Sequence, residues 1–329
     1  MIDNIIFFHN HVNGDSVMSR ILIKQIIDYT KNSNIQYFYT AQRSFDSYCI
    51  DLGINKENFN TMKIPNNFTN KNLNVIDNNL YIDVWIGHTE VKCCFCMINI
   101  IEYYNEIIKS LNNQYNFSIE YIKQQNPFIK FNYDYYNCIK LKDYIISEKN
   151  KYNKIVCIYN ILPTTFITLR NINFENIIIS LSKMYEDYLF ITFNNIKTSN
   201  NNIISFKYIY NNLYNKDIIN YSIQFSYLSL FCDNIIGLVS GVCQVLFNDC
   251  FYEISKNITI IYDISEHTPE NTPLCEMYDN ILCTKKNNLL INCYKYKNDN
   301  NLLDYLELFL TNINNKKKYL DKFILNYDL

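Results

Sequence analysis

Alanine, arginine, glycine and tryptophan are almost missing from this chain of 329 residues. Its one alanine is Ala41, its arginines are Arg20, Arg43 and Arg170, and it has 5 glycines and 1 tryptophan. The abundant Ile, Asn, Lys and Tyr use A/T-rich codons and the scarce residues use G/C-rich ones, so this bias indicates an AT-rich genome. Against that background Asn-rich loops carry little information, and each remaining Gly, Arg or His carries more.

Clustered positive charge is also lacking. The net charge is -2, whereas proteins that bind nucleic acid usually present a basic face. A run of three lysines at 316–318 is better explained as the solvated end of a helix. We therefore expect no nucleic-acid partner.

Long apolar runs and targeting signals are lacking as well. The longest apolar stretch, near residues 235–247, is broken by Ser, Gly and Gln and is too short to span a bilayer. The N-terminus shows neither the basic flank nor the cleavage pattern of a leader peptide. The 12 cysteines do not indicate a disulfide framework, which belongs to short secreted chains, and "CCFC" at 93–96 lacks the spacing of a zinc knuckle. We expect a soluble, cytoplasmic protein with buried free thiols.

What is present is a chain that is 48% hydrophobic and long enough for two domains of about 150 residues each. Short apolar, β-prone segments alternate with segments of helical periodicity, first over residues 4–111 and again from residue 154. Two successive series of this kind predict an α/β protein with two Rossmann-like domains facing each other across a cleft. The expected domains are 1–150 and 151–300, with the junction at 140–153 and a C-terminal helix at about 301–326.

The first series contains an unusual loop, "HNHVNGDS" at residues 9–16. It follows a predicted strand at 4–9, and its Asp15 or Ser16 would cap the helix that comes next. Asp15 either serves only as that cap or acts as a general base facing the cleft, with His9 or His11 nearby. His9 is equally well explained as a buried histidine whose hydrogen bonds are satisfied.

A second notable segment is "DNIIGLVSGVCQ" at residues 233–244. A predicted strand ends there, and Ser240 and Gly241 begin a predicted helix. The N–H groups and the dipole of a helix N-terminus favour an anion such as a pyrophosphate, and glycine lets a ligand approach the backbone. An ordinary capped helix is the structural alternative.

These two segments resemble elements of two-domain, GT-B-fold nucleotide-sugar glycosyltransferases, and the chain is distantly similar to the lipopolysaccharide heptosyltransferase family. The stretch "FFHNHVNGDSVMSRILIKQI" resembles the family's early strand, Gly-Asp loop and helix, with Gly14 and Asp15 in the matching places. The stretch "IIGLVSGVCQVLFN" is similar to its donor-binding turn at Ser240 and Gly241. "LPTTFITLRNINFENII" and "ITIIYDISEHTPENTP" are similar to later segments that border the active site.

The resemblance implies an inverting, metal-independent glycosyltransferase that moves a sugar from a nucleotide-diphosphate sugar to the hydroxyl of a glycan or glycolipid acceptor. It assigns the catalytic base to Asp15, with His11 as the companion candidate. Arg170, Ser240 and Gly241 would bind the donor. The acceptor side of the cleft would carry His9, Asn13, His88 and Glu266. No cofactor beyond the nucleotide sugar is expected, and the C-terminal helix would pack back on the first domain.

Two other functions stay open. A nucleotide-sugar epimerase on the same fold would need several acid/base groups, for which His9, His11, His88 and Glu90 are available. A catalytically silent sugar- or nucleotide-binding protein is the third hypothesis. The turn at Ser240 lacks the acidic residue and the histidine found beside the family's donor turn, and this difference favours the silent protein.

Overall fold

The computed structural model describes residues 2–9, 13–31, 33–41, 48–54, 72–85, 97–123, 129–136, 138–162, 168–214, 220–238, 240–246, 248, 250, 257–262 and 290–311. The strands are β1 Asn4–His9, β2 Gln36–Ala41, β3 Leu73–Ile76, β4 Asn79–Asp83, β5 Lys154–Tyr159, β6 Tyr188–Thr192, β7 Ile203–Ser205, β8 Asn234–Leu238, β9 Asn257–Tyr262 and β10 Leu290–Lys295. The α-helices are α1 Asn13–Thr30, α2 Met97–Tyr115, α3 Ile139–Glu148, α4 Phe174–Met184, α5 Phe206–Leu213, α6 Tyr221–Ser229 and α7 Asp299–Thr311.

The first sheet has four strands in the order β2-β1-β4-β3. Strand β1 is central and pairs in parallel with β2 and β4, whereas β3 and β4 form an antiparallel hairpin. The turn of the hairpin is Asp77-Asn78, with φ of 49° and 65°. Two consecutive positive φ values are typical of a type I′ turn, whose twist matches that of paired strands.

The second sheet has six strands in the order β10-β9-β8-β5-β6-β7, and every neighbouring pair is parallel. The chain moves outward from β5 through β6 to β7, and then returns to the other side of β5 for β8, β9 and β10. This is the strand order of dinucleotide-binding Rossmann folds, and it reverses direction between β5 and β8. The expected α/β fold with two successive sheets is confirmed.

Most predicted elements are present at nearly the predicted positions, but the stretch expected to hold the domain junction contains an α-helix. Helix α3 covers residues 139–148 and packs against α5 and α6. Its sequence signal is weak because only Leu141, Ile145 and Glu148 are buried. Strands β3, β7 and β10 were not predicted either. The domain boundaries themselves remain a prediction.

Apolar side chains cover both faces of the second sheet. One face contributes to a large core that also contains residues of the first sheet and of α1 and α2. The other face is covered by α4 and α7. The far face of the first sheet carries a smaller cluster of Ile6, Phe8 and Tyr81.

The C-terminal helix was predicted at about 301–326, and the structure describes helix α7 over Asp299–Thr311. This part of the helix packs against α4 on the second sheet, where Lys154 Nζ also donates a hydrogen bond to the carbonyl of Leu310 at 2.6 Å. The expected return toward the first domain falls on residues 312–329, which lie outside the described residues.

The cysteines at 49, 138, 157, 232, 243 and 250 are free thiols, and all of these except Cys250 are buried. Burial raises the pKa of Cys49 and of Cys243 to about 12. Such thiols stay protonated at neutral pH and react slowly. The segment "CCFC" lies outside the described residues. No helix among those described is both long enough and apolar enough to cross a membrane.

Candidate functional site

His9 ends strand β1 and is fully buried. Its Nε2 atom lies 2.8 Å from the hydroxyl oxygen of Ser16 on α1 and 2.6 Å from the hydroxyl oxygen of Tyr39 on β2. The rings of His9 and Tyr39 also meet edge to face, with centroids 5.7 Å apart. The structure therefore favours the satisfied buried histidine over a histidine that faces a ligand, because both hydroxyls compete for Nε2 and water is excluded.

Helix α1 begins three residues earlier than predicted, at Asn13. Asp15 is therefore the third residue of the helix and not its cap, and Ser16 is buried against His9. A carboxylate in the first turn still interacts favourably with the helix dipole. The side chains of Asn13 and Asp15, and all of His11, lie outside the described part of the chain.

The segment with His88 follows β4 in the sequence, and the segment with His11 follows β1. Strands β1 and β4 are parallel neighbours, so their carboxyl ends lie side by side. After β4 the Asp83 carboxylate accepts a hydrogen bond from the Trp85 backbone N–H at 2.9 Å. His88 and Glu90 follow, outside the described residues.

The predicted helix after β8 is a six-residue 3-10 helix, Gly241–Leu246. A helix this short lacks the aligned peptide dipoles on which the predicted anion site depends, so that part of the prediction is corrected. The turn is closed by local bonds: the Cys243 N–H donates to the Ser240 carbonyl at 3.1 Å. Cys243 Sγ also donates to the Leu238 carbonyl at 2.9 Å. Ser240 itself is half-buried.

Gly237 explains how the 3-10 helix lies so close to β8. A Cβ atom at this position would be 2.9 Å from Cys243 Sγ, a distance that real Cβ atoms essentially never show. Only glycine leaves room for the buried thiol against the strand. One of the few glycines in this chain, Gly237, therefore allows close packing beneath the Ser240 turn.

The carboxyl ends of β5 and β6 are tied together by two asparagines. Asn194 N–H donates to Asn160 Oδ1 at 2.7 Å, and Asn160 Nδ2 donates to the Asn194 carbonyl at 3.1 Å. This pair was not predicted, although Asn160 directly follows β5 and Asn194 lies two residues after the end of β6. The two asparagines connect the carboxyl ends of β5 and β6. The strand order reverses on the other side of β5, between β5 and β8.

Arg170 and Ser240 follow the two strands that flank this reversal. Arg170 lies in a 3-10 turn, Thr168–Asn171, on the connection from β5 to α4, and Ser240 follows β8. Strands β5 and β8 are parallel neighbours. In open α/β sheets, ligands bind beyond the carboxyl ends of the strands at such a reversal. The side chain of Arg170 lies outside the described residues.

The two segments singled out in the sequence meet in the fold. Helix α1, which begins at the end of the His9 loop, packs against the 3-10 helix that follows Ser240. The structure therefore brings together the segment with the candidate base and the segment with the candidate donor turn. Glu266 lies outside the described residues. Of the two partners of His9, Ser16 was predicted only as a helix cap, and Tyr39 had no local sequence signal because strand pairing brings it there from 30 positions away.

No protein-family profile and no curated protein matches the sequence. Among solved structures, the chain is similar to ADP-heptose lipopolysaccharide heptosyltransferase II of E. coli, at 10% identity and a TM-score of 0.40, over 94% of this chain and 98% of that one. It is also similar to UDP-GlcNAc 2-epimerase of Neisseria meningitidis, at 9% identity and a TM-score of 0.36, over 98% of this chain and 93% of that one. TM-scores this low leave fold and function to be argued from the chain's own residues.

Proposed function

We propose that the protein is a glycosyltransferase that moves a sugar from a nucleotide-diphosphate sugar to an acceptor hydroxyl. One observation carries the proposal: the candidate donor segments follow β5 and β8, the two strands between which the order of the second sheet reverses. The packing of α1, whose first turn contains Asp15, against the 3-10 helix after Ser240 adds support.

In the proposed reaction Asp15 takes the proton of the acceptor hydroxyl as its oxygen attacks the anomeric carbon. The bond from that carbon to the diphosphate breaks, and the nucleoside diphosphate leaves with the electron pair. A single displacement inverts the anomeric configuration. Arg170 and the backbone N–H groups at Ser240 and Gly241 stabilise the charge that develops on the leaving group. The sequence has no Asp-x-Asp pair, so we assign this work to protein groups and not to a metal.

The acceptor, a glycan or glycolipid, would bind on the side of the first sheet. Asn13 and His88 remain candidates for that side, and so does Glu266 in the loop after β9. His9 leaves the set of groups that would touch a substrate, since it is buried against Ser16 and Tyr39. The free thiols agree with a reducing compartment, and we propose the cytoplasm.

A thermal-shift screen against nucleoside diphosphates tests the donor site. A ligand present at 100 times its dissociation constant stabilises the folded state by about 2.7 kcal/mol, and we expect such a shift with a nucleoside diphosphate. Gly241→Ala and Gly241→Val should weaken the shift progressively, because the ligand needs close approach to the backbone. Absence of a shift with every nucleoside diphosphate would refute the proposal.

Product analysis separates transfer from epimerisation. Incubation with the nucleotide sugar that gives a shift should leave its sugar configuration unchanged, and nucleoside diphosphate should be released at a rate that rises with added acceptor. A change in the sugar configuration without an acceptor would identify an epimerase instead. Binding without either reaction would identify a silent binding protein.

A further inference from the structure

Helix α6 is buried on nearly all sides. Side chains at 222–226, 228 and 229 are all buried in this helix of nine residues. A helix that is buried all round lies between two layers of a protein and not at its surface. The serines at 222, 226 and 229 are spaced by four and three residues, so they share one face of the helix.

Each of the three serines makes a buried hydrogen bond to a tyrosine from a different part of the chain. The pairs are Tyr48–Ser222 at 3.1 Å, Tyr133–Ser226 at 3.1 Å and Tyr159–Ser229 at 3.2 Å. Tyr48 belongs to the half with the first sheet, Tyr133 to the connecting segment at 129–136, and Tyr159 to β5 of the second sheet. We call these three pairs the α6 seam.

The connecting segment is itself fixed to the first half. The Asp51 carboxylate accepts hydrogen bonds from the Asn132 N–H at 2.8 Å and the Tyr136 hydroxyl at 2.9 Å. The same carboxylate forms a buried ion pair with Arg20 of α1, at 2.6 Å. On the other side of the segment, Gln224 Nε2 of α6 donates to the Tyr136 carbonyl at 2.9 Å.

Asn248, which follows the 3-10 helix of the second half, also holds the connecting segment. Its Nδ2 donates to the Tyr133 hydroxyl at 3.0 Å, and its backbone forms an isolated parallel bridge with Ile129. The apolar core runs without a break from Ile5 in the first sheet to Ile260 in the second. Domains that move independently usually meet through smaller, more polar interfaces than this.

We propose that the α6 seam and the core around it join the two sheets into one cooperative unit. The two sheets then unfold together, and neither opens globally without the other. This inference does not depend on the proposed function, because it concerns the described contacts alone.

Native-state hydrogen exchange on the whole protein, read by mass spectrometry, tests the inference with two variants remote from the seam. Leu306→Ala opens a cavity under the far face of the second sheet, and Ile6→Ala opens one on the far face of the first. Each should lower the protection of the slowest amides by about 30-fold or more. We expect the same factor in β1 and β4 as in β5 and β6, whichever sheet carries the change.

Independent opening of the two sheets would contradict the inference. If Leu306→Ala lowers protection in β5 and β6 and leaves β1 and β4 at parent values, the sheets open independently and the inference is wrong. The milder pair Leu306→Val and Ile6→Val serves the same purpose if an alanine variant does not fold. In the parent, raising the denaturant should also bring the slowest amides of both sheets onto one common opening curve.

The seam itself is tested by Tyr133→Phe, which removes the hydroxyl that Ser226 and Asn248 share. Protection should fall by about 2- to 10-fold in both sheets. Tyr188→Phe on β6 is the matched control, because Tyr188 is buried on the opposite face of the second sheet. A loss confined to residues 129–136 would show that the seam does not couple the sheets.

Discussion

The two sheets differ in what their topology says about function. The second has six parallel strands, apolar cover on both faces and one reversal of strand order between β5 and β8. The first has four strands, one of them antiparallel, and only a small cluster on its far face. Both sheets reverse their strand order, the first between β1 and β4 and the second between β5 and β8, but only the second is wholly parallel and has the six-strand order of dinucleotide-binding sheets.

This difference divides the proposed work between the halves. A parallel sheet that reverses its order leaves an open crevice for a bound nucleotide. The first sheet supplies α1, with Asp15 in its first turn, and the two loops with His11 and His88. Variants at the candidate site in the first half should therefore lower the rate of sugar transfer. Variants at the candidate site in the second half should lower the affinity for the nucleotide.

The largest expected effect separates chemistry from structure in the first half. Asp15→Asn should lower the rate of sugar transfer by about 10²–10⁴-fold, because an amide cannot take the acceptor proton. Nucleoside diphosphate affinity should stay at the parent value, since the proposed donor site is at the second sheet. Release of nucleoside diphosphate with acceptor present measures the rate. A parent rate for Asp15→Asn together with a loss for His11→Ala would make the histidine the base.

The second-largest expected effect is a loss of stability on breaking the buried Arg20–Asp51 ion pair, which holds α1. Burial lowers the pKa of Arg20, but the hydrogen bond and the charge of Asp51 outweigh it and raise the pKa above its ordinary value. Asp51→Asn would leave a buried guanidinium without its counter-charge, which should cost about 3–5 kcal/mol of unfolding free energy. Denaturant unfolding measures the loss.

Asp28→Asn is the matched control for Asp51→Asn. Asp28 pairs with Lys24 on the same helix, but both side chains are nearly half exposed, at 46% and 42%. Its removal should cost only about 0.3–0.5 kcal/mol. Equal losses for the two variants would contradict the role given to Asp51.

In the second half, Gly237→Ala tests the packing under the Ser240 turn. Its Cβ atom would lie 2.9 Å from Cys243 Sγ, and such overpacking should cost about 1–3 kcal/mol. Cys243→Ala removes the obstructing sulfur. The double variant should therefore lose less stability than the sum of the two single variants. If the two single losses of unfolding free energy simply add in the double variant, the Cβ atom at 237 does not collide with Cys243 Sγ.

The smallest predicted effect concerns the His9 cluster of the first half. Tyr39→Phe removes one of the two hydroxyls at His9 Nε2 and should cost about 0.5–1.5 kcal/mol. Tyr37→Phe on the same strand is the control, since the Tyr37 hydroxyl bonds Thr30 in a half-buried position and should matter less. Thermal unfolding of both variants checks the order. A larger loss of stability for Tyr37→Phe than for Tyr39→Phe would contradict the role given to the Tyr39 hydroxyl.

Local pattern in the sequence was enough for the main elements. Strand β1 and strand β5 occur where short apolar runs predicted them, since buried parallel strands need such runs. Helix α3 was missed because three buried positions in ten residues leave a weak periodic signal. Strand β10, at the edge of the second sheet beside β9, was also missed.

The candidate site was only partly predictable, for a physical reason. The two polar segments were recognisable because Gly, His and Asp are scarce or special in this chain. The partners of His9, and the contact between α1 and the 3-10 helix, depend on pairing between distant segments. The type of helix after β8 was not predicted: the structure has a 3-10 helix, Gly241–Leu246, where Cys243 packs closely on Gly237.

The central claim is that a nucleoside diphosphate binds where β5 and β8 diverge. The most direct measurement is hydrogen exchange by mass spectrometry with and without the nucleoside diphosphate that gives the largest thermal shift. The fast-exchanging amides just beyond β5 and β8, at residues 160–171 and 239–246, should become protected. Those beyond β1 and β4 should change little in the absence of an acceptor. Protection confined to the ends of β1 and β4 would contradict the account.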